Sequence, residues 1–375
     1  MSAEPLPPQG PSPEAAHASY LRQGYFPALD GLRAVAIAGV LWHHALPGPR
    51  EGWLGRGFVG VPLFFALSGF LITTRLLVER RQTGEIALGR FWLRRSLRIF
   101  PLYYVVLAAF ALYLAWRPAD AGSRHFFEHF VFYATYTSNW FVDYAVPYPV
   151  WFGFAWSLAT EEQFYAWWPP LLRRCQSTAH AVLALLGVLA LGQLSLYGPL
   201  AAGLAEHVTL ARILTSVAPA LSLGALLALC LDEQRGFTRV WPLLRRSPAL
   251  TAALPVLWIG ALLVHPFGTP LLLDLGFTAL VASAVLCPDS ALGRVLGAPP
   301  LLAIGRVSYG IYLLHVPVLG LLRRAAPGLI ERPGLLFPVA LLASWGLARL
   351  SYRYFEGPLL ALKDRLRPVA LPRFQ

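Results

Sequence analysis

Five apolar stretches of the sequence carry side chains that could do chemistry, at spacings that a helix would bring to one side. The first, FPALDGLRAVAIAGVLWHHA, contains Asp30, Arg33, His43 and His44. Residues eleven apart on an α-helix fall within about 20° of one face, so Arg33 and His44 share a stripe. Asp30 lies close to that stripe, and His43 points elsewhere. An imidazole so placed is a candidate for acid–base work, with a carboxylate and a guanidinium about three turns away. The plainer alternative is a capping Asp, a snorkelling Arg and a His at the membrane interface.

The second stretch, FVGVPLFFALSGFLITTR, puts Ser68 and Gly69 in mid-span, where small residues ordinarily serve close helix packing. The third, FWLRRSLRIFPLYY, sets Arg95 and Arg98 on one helical face beside Tyr103 and Tyr104. That pair suits a phosphate-bearing ligand arriving from the cytosol, or simply the excess of basic residues on the cytoplasmic side. In the fourth, WSLATEEQFYAWWP, Ser157, Glu161 and Tyr165 follow one another at i, i+4 and i+8, with Glu162 about 100° away. Two adjacent carboxylates in an aromatic span are costly to bury, so at least one requires a cationic or hydrogen-bonding partner. The fifth, GRVSYGIYLLHVPV, brings Ser308, Tyr312 and His315 to one face, a pattern that a pore lining or a packing network also produces.

The elements that must hold these residues are membrane helices. The chain has 375 residues, 57% of them hydrophobic and only 13% charged. Soluble proteins carry about a quarter charged residues, so lipid is the expected solvent for much of this surface. The net charge of +12 reads as loop charge that sets orientation, and the aromatics lie in apolar runs, which argues against nucleic-acid binding. Cys175, Cys230 and Cys287 form neither a disulfide framework nor a metal-ligand spacing, so no metal is expected. Residues 1–24 lack an apolar signal core and read as a flexible tail.

Apolar runs at 29–46, 57–78, 99–116, 150–172, 179–198, 208–231, 249–265, 270–287, 301–322 and 335–355 are the candidate spans. The aromatic, polar-interrupted stretch 126–149 suits the membrane interface better than its core. Arginines crowd the 79–98 connection, the 232–248 loop and the C-terminal tail, which makes those segments cytoplasmic. The fold class is thus an all-α integral membrane protein of about ten transmembrane helices with both termini cytoplasmic. Only the 323–334 loop, with Arg323, Arg324 and Arg332, objects. The Arg-rich composition suggests a GC-rich, bacterial genome, and hence the bacterial cytoplasmic membrane.

Together, LDGLRAVAI…HH, GVPLFFALSGFLIT, RRSLRIFPLYY, WSLATEEQFY and SYGIYLLHVPV resemble the acyltransferase-3 family of membrane-bound O-acyltransferases, over roughly residues 25–358. The family's Arg-ten-residues-His signature matches Arg33 and His44, and its Arg-x-x-Arg matches Arg95 and Arg98. Its Trp-Ser-Leu-x-x-Glu-x-x-Phe-Tyr element matches Trp156, Ser157, Leu158, Glu161, Phe164 and Tyr165. The resemblance implies transfer of an acyl group, commonly acetyl from acetyl-coenzyme A, to a hydroxyl of a carbohydrate or other acceptor. Many bacterial relatives carry an additional SGNH-type hydrolase domain, and this sequence reads as the stand-alone form, with residues 359–375 a basic cytoplasmic tail.

On that footing His44 is the expected general base for a poorly nucleophilic hydroxyl, with Glu161 a candidate to orient it. Arg95 and Arg98 would hold coenzyme phosphates and Arg33 would sit along the path. Asp30, Ser68, Trp156, Ser157, Tyr165, Ser308, Tyr312 and His315 would shape the substrate route or the motif structure. The competing class is a transporter or flippase, because intramembrane Arg, Glu and His also line substrate paths.

Overall fold

In the computed structural model, residues 12–46, 53–196, 203, 206–216, 218–245, 253, 255–260 and 270–364 are described, and among them there is no β-strand. Apolar chains surrounded by lipid must satisfy backbone N–H and C=O groups within each segment, which helices do. Among the described residues, five helical segments are long and apolar enough to cross a membrane, and up to seven if each of two bent pairs is one span.

The chain opens with α1 (Pro13–Arg22) and α2 (Pro27–Ala45), which meet at 68°. Residues 13–22 therefore depart from the flexible tail expected there. Ser12 caps the helix, Tyr20 packs against Phe26 and Phe237, and the His17 ring nitrogen bonds the Asp232 carbonyl at 3.1 Å. Next come α3 (Gly60–Thr83) and α4 (Leu88–Trp116). Gly84, at φ 79°, is the left-handed residue that ends α3 and allows the sharp turn. The expected arginine-rich loop at 79–98 is thus almost wholly helix. Hydropathy reads Arg94 and Arg95 as loop charge, whereas here they pair with Glu79 and Glu161 inside the bundle.

The ambiguous 126–149 stretch falls in α5 (Ala121–Glu128), α6 (Phe130–Ala134), α7 (Ser138–Phe141) and irregular chain, with no element long enough to span. It leads into α8 (Ala155–Arg174) and α9 (Thr178–Leu196). The expected 208–231 span is one of the five, Val208–Asp232, and comprises α10 (Val208–Thr215) and α11 (Pro219–Asp232), before α12 (Gln234–Arg245). Of the expected 249–265 span, the described residues 253 and 255–260 are helical and the rest lies outside the described residues.

The last third holds α13 (Pro270–Leu286), α14 (Ala291–Leu296), α15 (Pro299–Arg306), α16 (Ser308–Ala325), α17 (Pro333–Ser351) and α18 (Gly357–Asp364). The expected 301–322 span is an elbow: α15 and α16 diverge by 75° at Val307. At the inner side of that elbow Gly305 lies directly on α2, where an added Cβ would stand 1.9 Å from the Asp30 carbonyl oxygen. A second backbone contact joins α3 and α11, since a Cβ on Gly69 would reach within 2.0 Å of the Leu221 carbonyl. Small residues permit such approach in membrane bundles. These two contacts fix α2, α3 and the elbow around the site. Beyond Asp364 the expected basic tail lies outside the described residues.

Candidate active site

Each helix contributes its chemistry through a short stripe. On α8, Ser157, Glu161 and Tyr165 face inward, with Ser157 and Tyr165 buried. Glu161 accepts hydrogen bonds from Tyr165 on its own helix and from Ser68 on α3, and the Arg95 guanidinium stands 3.9 Å away. Arg95 also lies over the Tyr165 ring, 4.0 Å from its centroid. Ser68 therefore bonds the carboxylate, while its neighbour Gly69 provides the close packing anticipated for the pair. On α2, Arg33 donates to Asp30 at 2.6 Å, and Tyr25 donates to the other Asp30 oxygen at 2.6 Å. That chain locks one guanidinium in place.

Arg33, Arg95 and Arg98, with Ser68, Ser157, Glu161, Ser308, Tyr309 and Tyr312, enclose a chamber of about 100 Å³. Its wall holds three guanidiniums and one carboxylate, and the Nε of Arg95 is buried with no hydrogen-bond partner among the described residues. The charge and the unsatisfied donor fit an anion. Arg75 of α3 lies within electrostatic reach of Arg33, Arg95 and Arg98, and it lines a small adjoining cleft with Tyr25, Asp30 and Arg33.

On the other side of Val61, Phe65 and Tyr312, which line both spaces, lies a cavity of about 840 Å³. His43 and His44 stand in its wall, together with Trp156, Asn139, Thr160, Arg212 and Asp274. The His44 Nδ1 faces the Val40 carbonyl at 2.9 Å, and the His315 Nδ1 faces the Tyr312 carbonyl at 2.6 Å. A carbonyl oxygen only accepts, so both Nδ1 atoms carry the proton. The His315 Nε2, 3.4 Å from His44 Nδ1, is then a second acceptor for that proton, and His44 Nε2 is the basic nitrogen. Arg323 donates to the His44 carbonyl at 2.6 Å and pins the end of α2. Tyr312 donates to the Phe154 carbonyl at 2.9 Å and meets the Ser157 hydroxyl at 2.5 Å.

A family model described as an acyltransferase domain matches residues 26–349. The chain belongs to this family. It is 30% identical over 366 residues to the peptidoglycan O-acetyltransferase OatA of Listeria monocytogenes, covering 89% of this chain and 56% of the relative. It is 31% identical over 361 residues to a Bacillus subtilis protein provisionally named as a peptidoglycan O-acetyltransferase, YrhL, covering 89% of this chain and 55% of that one. A Staphylococcus aureus (strain COL) protein provisionally named as an O-acetyltransferase is 29% identical over 389 residues, covering 95% and 61%. The chain thus spans little more than half the length of these curated relatives. No solved structure matches it.

Within this acyltransferase domain the expected site residues separate into two groups. Arg33, Arg95, Arg98, Ser68, Ser157, Glu161 and Ser308 line the chamber, with Asp30 and Tyr165 behind them. His44 and Trp156 line the larger cavity, Tyr312 lines both, and His315 is buried behind His44. Two expectations change. Glu161 does not orient His44: its contacts are Ser68, Tyr165 and Arg95, and the imidazole packed on His44 is His315, with ring centroids 4.8 Å apart. His43 does not turn away, because the cavity is wide enough to touch both histidines; its Nδ1 bonds the Gly55 carbonyl at 2.7 Å.

Sequence reasoning also passed over several residues. Asn139 and Gln163 exchange paired amide hydrogen bonds of 2.9 and 2.8 Å, and Asn139 also reaches Thr160 at 3.2 Å. Asn139 is the one Asn in the chain, and its place in an aromatic stretch was a usable signal. Arg75 and Asp274 were visible as lone charges in apolar runs.

Proposed function

We propose that this chain is an O-acetyltransferase of the bacterial cytoplasmic membrane, moving acetyl from acetyl-coenzyme A to a hydroxyl of a cell-wall glycan. The observation that carries the reading is the pair of spaces divided by Tyr312, one suited to an anion and the other presenting a basic imidazole nitrogen. Phosphates of the donor bind Arg95 and Arg98, with Arg33 beside them. Arg33 and His44 are eleven residues apart on one continuous helix, about 16 Å along its axis. The pantetheine arm is the part of the donor that bridges such a distance, carrying the thioester past Tyr312.

In the larger cavity His44 Nε2 accepts the proton of the attacking hydroxyl. The hydroxyl oxygen bonds to the thioester carbonyl carbon, the carbon–sulfur bond breaks, and the imidazolium returns its proton to the departing thiolate. His315 holds the His44 tautomer, acting as a positioning residue. The topology that accompanies this route has ten spans with both termini cytoplasmic, so that the arginines open toward the cytosolic donor. The relatives' names supply the glycan, and peptidoglycan is the acceptor to try first.

The test is acceptor-dependent release of free thiol from acetyl-coenzyme A by purified protein in nanodiscs, with muramidase-released peptidoglycan fragments as acceptor. Thiol release matched by a 42-dalton gain on the fragments is the expected result. Absence of thiol release with the fragments overturns the proposal.

A further inference from the structure

The larger cavity has a carboxylate that the transfer steps above do not use. Asp274 sits in α13, an otherwise apolar helix, and is only 4% exposed. A buried carboxylate in such a helix costs several kcal/mol unless it is compensated, so its presence calls for a cause. One cause is structural. The backbone N–H of Ala220, at the start of α11, is turned toward the carboxylate as a donor, and the helix's own cap residue Ala218 offers no side-chain oxygen. A carboxylate has about four lone-pair sites, and one such bond leaves most of them to be satisfied. The cation on the same wall is not its partner, since Arg212 donates to the Val142 carbonyl at 3.2 Å and to Asp143 at 3.4 Å.

The geometry points to Asp274 as a specificity-determining residue of the acceptor site, where its carboxylate accepts hydrogen bonds from hydroxyls of a neutral sugar ring held in the larger cavity. The inference rests on the proposed acyl transfer and names a residue that grips the acceptor. The rest of the wall fits the same ligand chemistry. Trp151, Trp156 and Tyr144 offer aromatic faces, and Asn139 and Thr160 offer an amide and a hydroxyl. About 840 Å³ lies toward the upper end of small-ligand pockets, enough for more than one ring. His44 stands in the same wall system, so a sugar gripped at Asp274 shares a cavity with the nitrogen that would take its proton.

Two substitutions separate capping from binding. Asp274→Asn keeps a side-chain oxygen for the Ala220 N–H, since Asn caps helices about as well as Asp, but removes the charge-assisted acceptor. Asp274→Ala removes both. Binding of peptidoglycan fragments to nanodisc-embedded protein is measured calorimetrically without donor, alongside the thermal midpoint and the affinity for acetyl-coenzyme A. Asp274→Asn is expected to weaken fragment binding at least tenfold, with midpoint and donor affinity unchanged. Equal fragment affinity in wild type and Asp274→Asn, or no fragment binding to wild type, overturns the inference. A loss of donor affinity and midpoint in step with fragment affinity also overturns it, by reducing Asp274 to a helix cap. Because no turnover is needed, failure here is distinguishable from failure of thiol release, which would sink the proposed reaction.

Discussion

The arginine chamber encloses about 100 Å³ between walls that carry three arginines and a glutamate, whereas the histidine cavity across Tyr312 encloses about 840 Å³ between mostly apolar ones. The chamber draws on α2, α3, α4, α8 and the α15–α16 elbow, and its polar groups are tied to one another: Ser68 and Tyr165 to Glu161, Asp30 to Arg33. The cavity shares α2, α3, α8 and α16 with it and is closed further out by residues of the 139–154 segment and of α10 and α11. Rigid, pre-paired charges suit one fixed anion. A broad, mostly apolar space with several aromatic faces suits a larger and less charged partner. The difference teaches that the family's motif residues do not form one cluster. They divide between the chamber and the cavity, which the proposed function makes a holding part and a reacting part.

The largest effect should come from the reacting side. His44→Ala is expected to lower the transfer rate by at least about a hundredfold, the usual contribution of a general base. Binding of acetyl-coenzyme A, measured separately, should be unchanged, and a matching loss of donor affinity would merge the two regions. On the holding side, Arg98→Ala should raise the KM for acetyl-coenzyme A by roughly tenfold to a hundredfold, since a charge-assisted hydrogen bond contributes about 1.5–3 kcal/mol. Its kcat should change far less, and an unaltered KM would remove the phosphate role.

Tyr312→Phe probes the shared wall. The hydroxyl contacts Ser157 and the Phe154 carbonyl, so its loss should cost about 1–2 kcal/mol and slow transfer by about tenfold. Donor and acceptor affinities should both be kept, whereas a change confined to one of them would assign Tyr312 to that side alone.

The smallest effect concerns the outer segment and pH. Burial, and then the neighbouring His129, hold the His125 pKa below its ordinary 6.5, while Glu128 and Asp143 pull it upward. A histidine with a depressed folded pKa leaves stability intact above its unfolded value and withdraws it as the pH falls below that value. Segment 121–154 should therefore loosen as the pH drops through 6.5. Hydrogen exchange, corrected for intrinsic rates, should rise there at pH 5 and stay level in α3 and α4. Equal protection at both pH values would count against this reading.

The sequence reveals what is local. The stripe of Ser157, Glu161 and Tyr165, and the pair of Arg95 and Arg98, follow from helical periodicity alone, and the structure uses them as stripes. Partners across the bundle were not legible: Ser68 and Glu161 are 93 residues apart, and nothing in either stretch names the other. Hydropathy also misplaced the start of α4, because it counts a charge without knowing whether that charge is paired. The elbow at Val307 escaped for a related reason. An apolar run looks the same whether it is straight or bent by 75°.

The proposed division of labour between chamber and cavity can be read from steady-state transfer by Arg98→Ala and His44→Ala over a wide range of acetyl-coenzyme A. Raising the donor concentration should restore Arg98→Ala toward the wild-type maximum and do nothing for His44→Ala. Recovery of both variants, or of neither, would contradict it.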